Sequence, residues 1–295
     1  YHSGFLVESA DAYYIFDYYR ADFPVTDADK PVYVFVSHRH PDHYNPYVFE
    51  ILREKKVRRM TGIISYDIKP RNYTSHMEGV EIIAAEPDKE YTLDNGALVR
   101  TLRSTDKGVA YVVTFDDGGV PRSVYHAGDL NDWVWEGEDE RVNKWMTGSY
   151  RRYLTAVEGM HFDAVMVPVD SRQGDDMFRG IEYLLEKVKA DAVYPMHYWD
   201  KPEVIMQFAG KYPQYADIIR YTEDRMDRYS VIEDKNPREI VLLRGSGCVY
   251  KKCTFCDYYS DSGKDEDVNY MINRAALSQV TGKCGNIEII DSGSV

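Results

Sequence analysis

The sequence predicts a mixed α/β fold in which two β-sheets pack face to face with helices outside. Three observations lead there. The first half carries hairpin-like turns at Asp11-Ala12, Asp94-Asn95-Gly96 and Asp116-Asp117-Gly118-Gly119, set between alternating or apolar strands. The second half alternates strand-like and helix-like patterns. The residues equipped for chemistry fall almost entirely at strand ends, on what becomes one rim, where loops can converge without disturbing a core.

The elements follow in order. Val32-Tyr33-Val34-Phe35-Val36, begun by Pro31, is β-branched and aromatic enough to be a buried strand. A helical pattern spans 46–56, and strands are expected over 62–66, 81–85 and 108–115. Helical patterns then cover 138–158 and 177–189, with strands at 162–169 and 191–195. Asp234-Lys235-Asn236-Pro237 reads as a linker, and a fresh apolar strand follows over 239–243. We therefore expect one domain over 1–235 and a second segment over 236–295, in which a helix over 268–280 and a strand over 286–290 complete a short β-α-β extension.

Directly after the first buried strand comes Ser37-His38-Arg39-His40-Pro41-Asp42-His43, which packs three histidines and an aspartate into six residues. Imidazole and carboxylate are the ligands that zinc, iron and manganese share. An H-x-H-x-D-H array offers two adjacent sets of them, enough to hold two cations side by side. A solvated loop rich in histidine is the bland alternative, and the density of ligand types argues against it.

His38, His40, Asp42 and His43 resemble the signature of the metallo-β-lactamase-fold hydrolases. Tyr125-His126-Ala127-Gly128-Asp129 resembles that superfamily's G-D element, and Pro195-Met196-His197-Tyr198 its last ligand histidine. The opening Tyr1-His2-Ser3-Gly4-Phe5-Leu6-Val7-Glu8 is similar to the first strand of the branch that includes L-ascorbate-6-phosphate lactonase. The resemblance covers about residues 1–235, in the family's order, and implies the αββα sandwich. It also implies ligand sets: His38, His40 and a third residue for one cation, and Asp42, His43 and His197 for the other. Asp129 bridges them, and Asp42 also orients the attacking water. The family usually supplies a further histidine between the first motif and the G-D aspartate. This chain reads Leu102-Arg103-Ser104-Thr105-Asp106-Lys107-Gly108 there. Asp106 is one candidate replacement, though it is equally suited to capping a turn. His126 is the other, though it reads first as a core or supporting histidine.

The implied activity is a metal-dependent hydrolase: hydroxide generated at a pair of divalent cations, zinc first and manganese or iron next, attacks an ester, lactone, amide or phosphoester. Trp133, Trp135, Tyr198 and Trp199 follow ligand segments and could stack a flat or sugar-like group, or simply pack the rim. Arg172 could meet an anionic substrate or sit exposed in its loop. A formal charge of −13 disfavours nucleic acid, so the expected partner is a small molecule. No apolar run approaches membrane-spanning length and the start is no signal peptide, which suits a cytoplasmic protein. The chain opens without Met inside a strand-like segment, so native residues are expected to precede it.

All four cysteines, Cys248, Cys253, Cys256 and Cys284, follow residue 247, which is no disulfide framework for the fold. The strand, the glycine-rich loop with Cys248, Cys253 and Cys256, the helix and the strand resemble the opening β-α-β unit of radical S-adenosylmethionine enzymes. That likeness implies a [4Fe–4S] cluster on these three thiolates, with S-adenosylmethionine at the open iron. The first two cysteines are one residue too far apart for that family, and the segment is far too short for its barrel, so a truncated partner is implied. A zinc knuckle and plain reduced thiols are the rival readings. Two alternative activities stand beside hydrolysis: radical chemistry in the second segment, and diiron redox chemistry, against which the histidine at position 40 argues.

Overall fold

The computed structural model describes residues 2–20, 23–199, 201–220, 228–246 and 266–291. Its chain forms two compact units, Tyr1–Asp200 and Lys201–Val295. In the first unit, a five-stranded sheet runs in the order β1 (Phe5–Glu8), β2 (Tyr13–Phe16), β3 (Val32–Val36), β4 (Met60–Ser65) and β5 (Glu81–Ala85). A six-stranded sheet is made by β6 (Glu90–Thr92), β7 (Leu98–Arg103), β8 (Val109–Asp117) and β9 (Val120–His126), extended by β11 (Ala164–Pro168) and β13 (Val193–Met196). Strands β6 to β9 pair antiparallel, as their Asp-Asn-Gly and Asp-Asp-Gly-Gly turns dictate, and β9, β11 and β13 pair parallel.

The period-2 alternation of β3 explains the layering. Tyr33 and Phe35 join Tyr14, Phe16, Val109, Tyr111 and Val113 in the core between the two sheets. Val32, Val34 and Val36 face the other way, onto Val48, Phe49 and Leu52 of α1 (Val48–Glu54). A strand buried on both faces reads as continuous apolar sequence, which is how β3 appears. Each large side chain sealed here contributes on the order of 2 kcal/mol. Helix α2 (Glu140–Leu154) is capped by the Asp139 side chain, which accepts from Arg141 N–H. Helix α3 (Arg179–Lys187) buries Ile181, Leu184 and Leu185, an i, i+3, i+4 stripe, and lies against β11. The expected sandwich with outer helices is what forms.

Two details differ from the sequence reading. The strand anticipated over 162–169 is two: β10 (His161–Phe162) pairs with β12 (Lys189–Ala190), while β11 pairs with β9 and β13. The break is at Asp163, whose carboxylate turns back to accept from Ser123 N–H at 2.7 Å and from Arg122 at 2.7 Å. The boundary also lies earlier than the composition shift near 235 suggested. In the second unit, α4 (Glu203–Lys211) packs with α5 (Glu266–Leu277), and β14 (Tyr229–Ile232) pairs antiparallel with β15 (Arg238–Leu243). Helix α4 and strand β14 therefore find partners beyond 235. Strand β15 pairs parallel with β16 (Ile287–Asp291), so the β-α-β extension is present. Cys284 is a free thiol, and Cys248, Cys253 and Cys256 lie outside the described residues. Among the described residues no helix is long and apolar enough to cross a membrane.

One glycine fixes how the sheets meet at the rim. Gly108, just before β8, has φ +68°, and a Cβ there would stand 1.8 Å from the Ser37 carbonyl oxygen and 2.7 Å from His38 Cβ. The close approach lets Val109 N–H reach the Ser37 carbonyl at 2.9 Å. Gly108→Ala should cost at least about 2 kcal/mol of stability, visible as a lowered thermal midpoint; an unchanged midpoint would contradict this packing.

Candidate metal centre

The β3 strand ends at Val36, and the next seven residues turn across the rim. His38 and His43 are fully buried, while His40 and Asp42 face the opening. The other strand ends bring Asp106 from the β7–β8 loop, Asp129 from the turn after β9, and His197 from just after β13. The result is two clusters: His38, His40, Asp106 and Asp129, and His2, Asp42, His43 and His197. Within each cluster the candidate ligand atoms lie within 4.8 Å of one another.

Asp129 stands between the clusters with one oxygen toward each. Its Oδ2 is 3.3 Å from His38 Nε2. Its Oδ1 is 3.3 Å from His43 Nε2 and 3.5 Å from His197 Nε2. His38 Nε2 and His40 Nδ1 are 3.0 Å apart, and Asp106 Oδ2 is 3.7 Å from His40 Nδ1. Asp42 Oδ2 lies 3.5 Å from His2 Nε2 and 3.8 Å from His43 Nε2.

Buried carboxylates set the ring orientations. Asp17, just past β2, accepts from Ser37 N–H at 2.7 Å and from Ser37 Oγ at 2.6 Å. Its second oxygen also takes the Nδ1–H of His43 at 2.7 Å. Asp170, just past β11, takes the Nδ1–H of His197 at 2.9 Å. With Nδ1 protonated, both imidazoles present the Nε2 lone pair to the centre. Asp170 is clamped in turn by Arg172, whose Nε and Nη2 donate to it at 2.9 and 2.5 Å.

The electrostatics suit cations. Burial, reinforced by neighbouring imidazoles, drives the His38 pKa far below the usual imidazole range. Burial also lowers His43 strongly and brings His2 to about 4. These rings are neutral at pH 7, the form that ligates. For His197, burial opposes protonation, but the Asp170 hydrogen bond and the Asp129 charge raise its pKa overall. Burial pushes Asp129 up to about 7 and Asp17 to about 6, so each carboxylate is held without enough positive charge around it. Among the described residues, His2 Nε2, His43 Nε2 and Asp129 Oδ1 are buried without a hydrogen-bond partner. Three orphaned acceptors gathered at one place are what a bound cation would satisfy, and the donor set fits divalent metal.

The backbone is also strained here. Among the described residues, eight non-glycine positions have positive φ, and His2, Asp17, His197 and Trp199 are four of them.

Of the residues singled out from sequence, His38, His40, Asp42, His43, Asp106, Asp129 and His197 come together. His126 does not. Its ring stacks on Phe16 at 5.1 Å, Nε2 donates to the Ser3 carbonyl at 2.8 Å, and Nδ1 accepts from Gly128 N–H at 3.2 Å. Both nitrogens are used, so it supports the turn that carries Asp129 and is unavailable as a ligand. Trp133, Trp135, Trp199 and Arg172 line the adjacent cavity, whereas Tyr198 is buried and is not part of that lining. The sequence reading missed His2, Asp17 and Asp170. His2 was visible only as part of an opening strand, and nothing in its spacing links it to position 197.

No family model matches the chain, and no curated protein matches it. Solved structures resemble it at low identity. A protein described as a metal-dependent hydrolase from Parabacteroides distasonis shares 15% identity and a TM-score of 0.48, covering 74% of this chain and 88% of its own. Zinc-bound PqqB from Methylobacterium extorquens shares 11%, with a TM-score of 0.44 over 75% and 84% of the two chains. The metallo-β-lactamase-fold protein YhfI from Bacillus subtilis shares 17%, with a TM-score of 0.42 over 67% and 78%. At these similarities the ligand geometry itself carries the chemistry.

If Asp17 orients the His43 ring, Asp17→Asn should weaken divalent-metal affinity about 10- to 100-fold in a chelator competition, with the far-ultraviolet dichroism unchanged.

Proposed function

We propose that this protein is a metal-dependent hydrolase of small molecules with a paired cation site. The observation that carries the reading is Asp129, a single buried carboxylate with its two oxygens turned to two separate sets of imidazole and carboxylate donors. His38, His40 and Asp106 would hold one divalent cation, and His2, Asp42, His43 and His197 the other, with Asp129 shared. Asp106 then takes the place left by the absent histidine. When bound, such a pair supplies Lewis acidity and makes water nucleophilic near neutral pH, which suits attack on an ester, lactone, amide or phosphoester.

The chain's own residues do the rest. Asp17 and Asp170 hold His43 and His197 in the ligating tautomer, so no reorganisation is needed on binding. Asp42 is the carboxylate of its cluster that opens onto the cavity, and its position suits orienting a water and accepting its proton. Trp133 and Trp135 wall the cavity and exclude solvent from one side. The likeness of residues 1–8 to the lactonase branch makes lactones the first substrates to try.

Metal analysis of the purified protein should find about two divalent cations per chain, and bis(4-nitrophenyl) phosphate, 4-nitrophenyl acetate and simple lactones form the hydrolysis screen. His38→Ala and Asp129→Ala should each lose metal and hydrolysis while remaining folded; full metal content in both would falsify the ligand assignment. Brown protein with acid-labile sulfide would instead move attention to the cysteine loop. His2→Ala should reduce the stoichiometry from about two ions to about one, read by plasma emission after dialysis against a weak chelator. Unchanged stoichiometry would remove His2 from the set.

A further inference from the structure

The cavity beside the ligand clusters has a composition that narrows what can enter it. It encloses about 390 Å³, the scale of a small-molecule site, and its floor is formed by His40, Asp42, Asp106, Asp129 and His197. One wall is aromatic. Trp133 and Trp135 lie parallel, with 1° between their planes and 5.8 Å between centroids, and Trp133 sits 5.4 Å from the His197 ring. Trp199, also in the lining, stands 4.6 Å from His2 and 5.7 Å from His197. Arg172 lies between these indoles, its guanidinium carbon 4.9 Å from the Trp199 ring and 5.8 Å from Trp135.

Arg172 is the one guanidinium or ammonium in the lining among the described residues. It is fixed, not free to wander: Nε and Nη2 are committed to Asp170, and two indole faces flank the group. Asp170 also holds His197, so the guanidinium stands one carboxylate away from a proposed metal ligand. Its Nη1 edge makes no hydrogen bond among the described residues. The side chain is 54% exposed and belongs to the cavity lining, so a ligand in the cavity can reach the group. A planar donor already oriented by a salt bridge loses little entropy on gripping an oxyanion.

We propose that this cavity admits a small, flat anionic molecule. The flat body lies along the Trp133–Trp135 wall, its carboxylate or phosphate meets the Nη1 edge of Arg172, and its scissile bond reaches the floor. This deepens the hydrolase reading and rests on it for the scissile bond alone; the recognition of the anion does not. Arg172 is thereby a specificity residue.

The test uses the metal-loaded protein and its tryptophan fluorescence, with benzoate, phenyl phosphate and the neutral acetophenone as probes. Saturable quenching by benzoate or phenyl phosphate should be tighter than by acetophenone, and whichever anion binds better identifies the oxyanion. Arg172→Gln should weaken the anions by about tenfold or more and leave acetophenone unchanged, a loss typical of one hydrogen bond to a charged group. Trp135→Leu should weaken all three alike, by about tenfold. Metal content is measured on every sample. Direct bonding of an anion to metal would also favour the anions over acetophenone in the wild type, so the role of Arg172 itself is read from the difference between wild type and Arg172→Gln at equal metal content. Equal affinity for benzoate, phenyl phosphate and acetophenone in the wild type, or anion affinity untouched in Arg172→Gln at full metal content, overturns the proposal and leaves the hydrolase reading standing. Absence of metal from the wild type defeats the hydrolase reading and leaves anion binding to be judged on its own.

Discussion

Asp17 is the interaction on which the rim is built. It is fully buried, and a lone carboxylate there would cost several kcal/mol. Three donors offset part of that cost: the Ser37 amide, the Ser37 hydroxyl and the His43 ring. Because Ser37 Oγ also lies 2.9 Å from His38 Nδ1, one buried acid sets the posture of two histidines that belong to different clusters. The polypeptide must hold Asp17 at φ +41° to do so, and that strain persists because the network over-determines it.

The sandwich supplies the second constraint. Strand β3 lies in one sheet and β9 and β13 in the other, so the clusters exist only where the ends of both sheets meet. Gly108 and Gly128 allow that meeting, since a side chain at either would collide with Ser37. Each proposed cation would therefore take ligands from both layers. Metal binding and the docking of the two sheets at this rim are coupled as a matter of thermodynamics, because the ligands are assembled only in the folded state.

The second unit illustrates where composition misleads. Asp234-Lys235-Asn236-Pro237 has the chemistry of a linker, yet it is the turn between β14 and β15, an antiparallel pair. Polar residues with positive φ at Lys235 and Asn236 serve a tight turn as well as they would a tether. The order of strand, helix and strand in β15, α5 and β16 was legible from the sequence pattern, but the packing was not: α5 buries Val268, Ile272 and Ala276, whereas Ile287 and Ile289 of β16 stay exposed.

Much of the centre could be read directly from the chain. Dense ligand spacing at 38–43 is a local signal, because one loop must place its donors within a few ångströms whatever the fold does. Asp129 and His197 were legible through the resemblance, and Asp106 only as the nearest carboxylate in a gap. Alternating strands and strong turns likewise determined the sandwich, as both depend on neighbours in sequence. Tertiary structure decided the remainder. It brought His2 onto His197 across almost the whole first unit, gave Asp17 and Asp170 their imidazoles, and spent both nitrogens of His126 on backbone. It also closed three tryptophans and Arg172 around one cavity. These are pairings between residues far apart in the chain, fixed by how two sheets stack, and no local period or spacing encodes them.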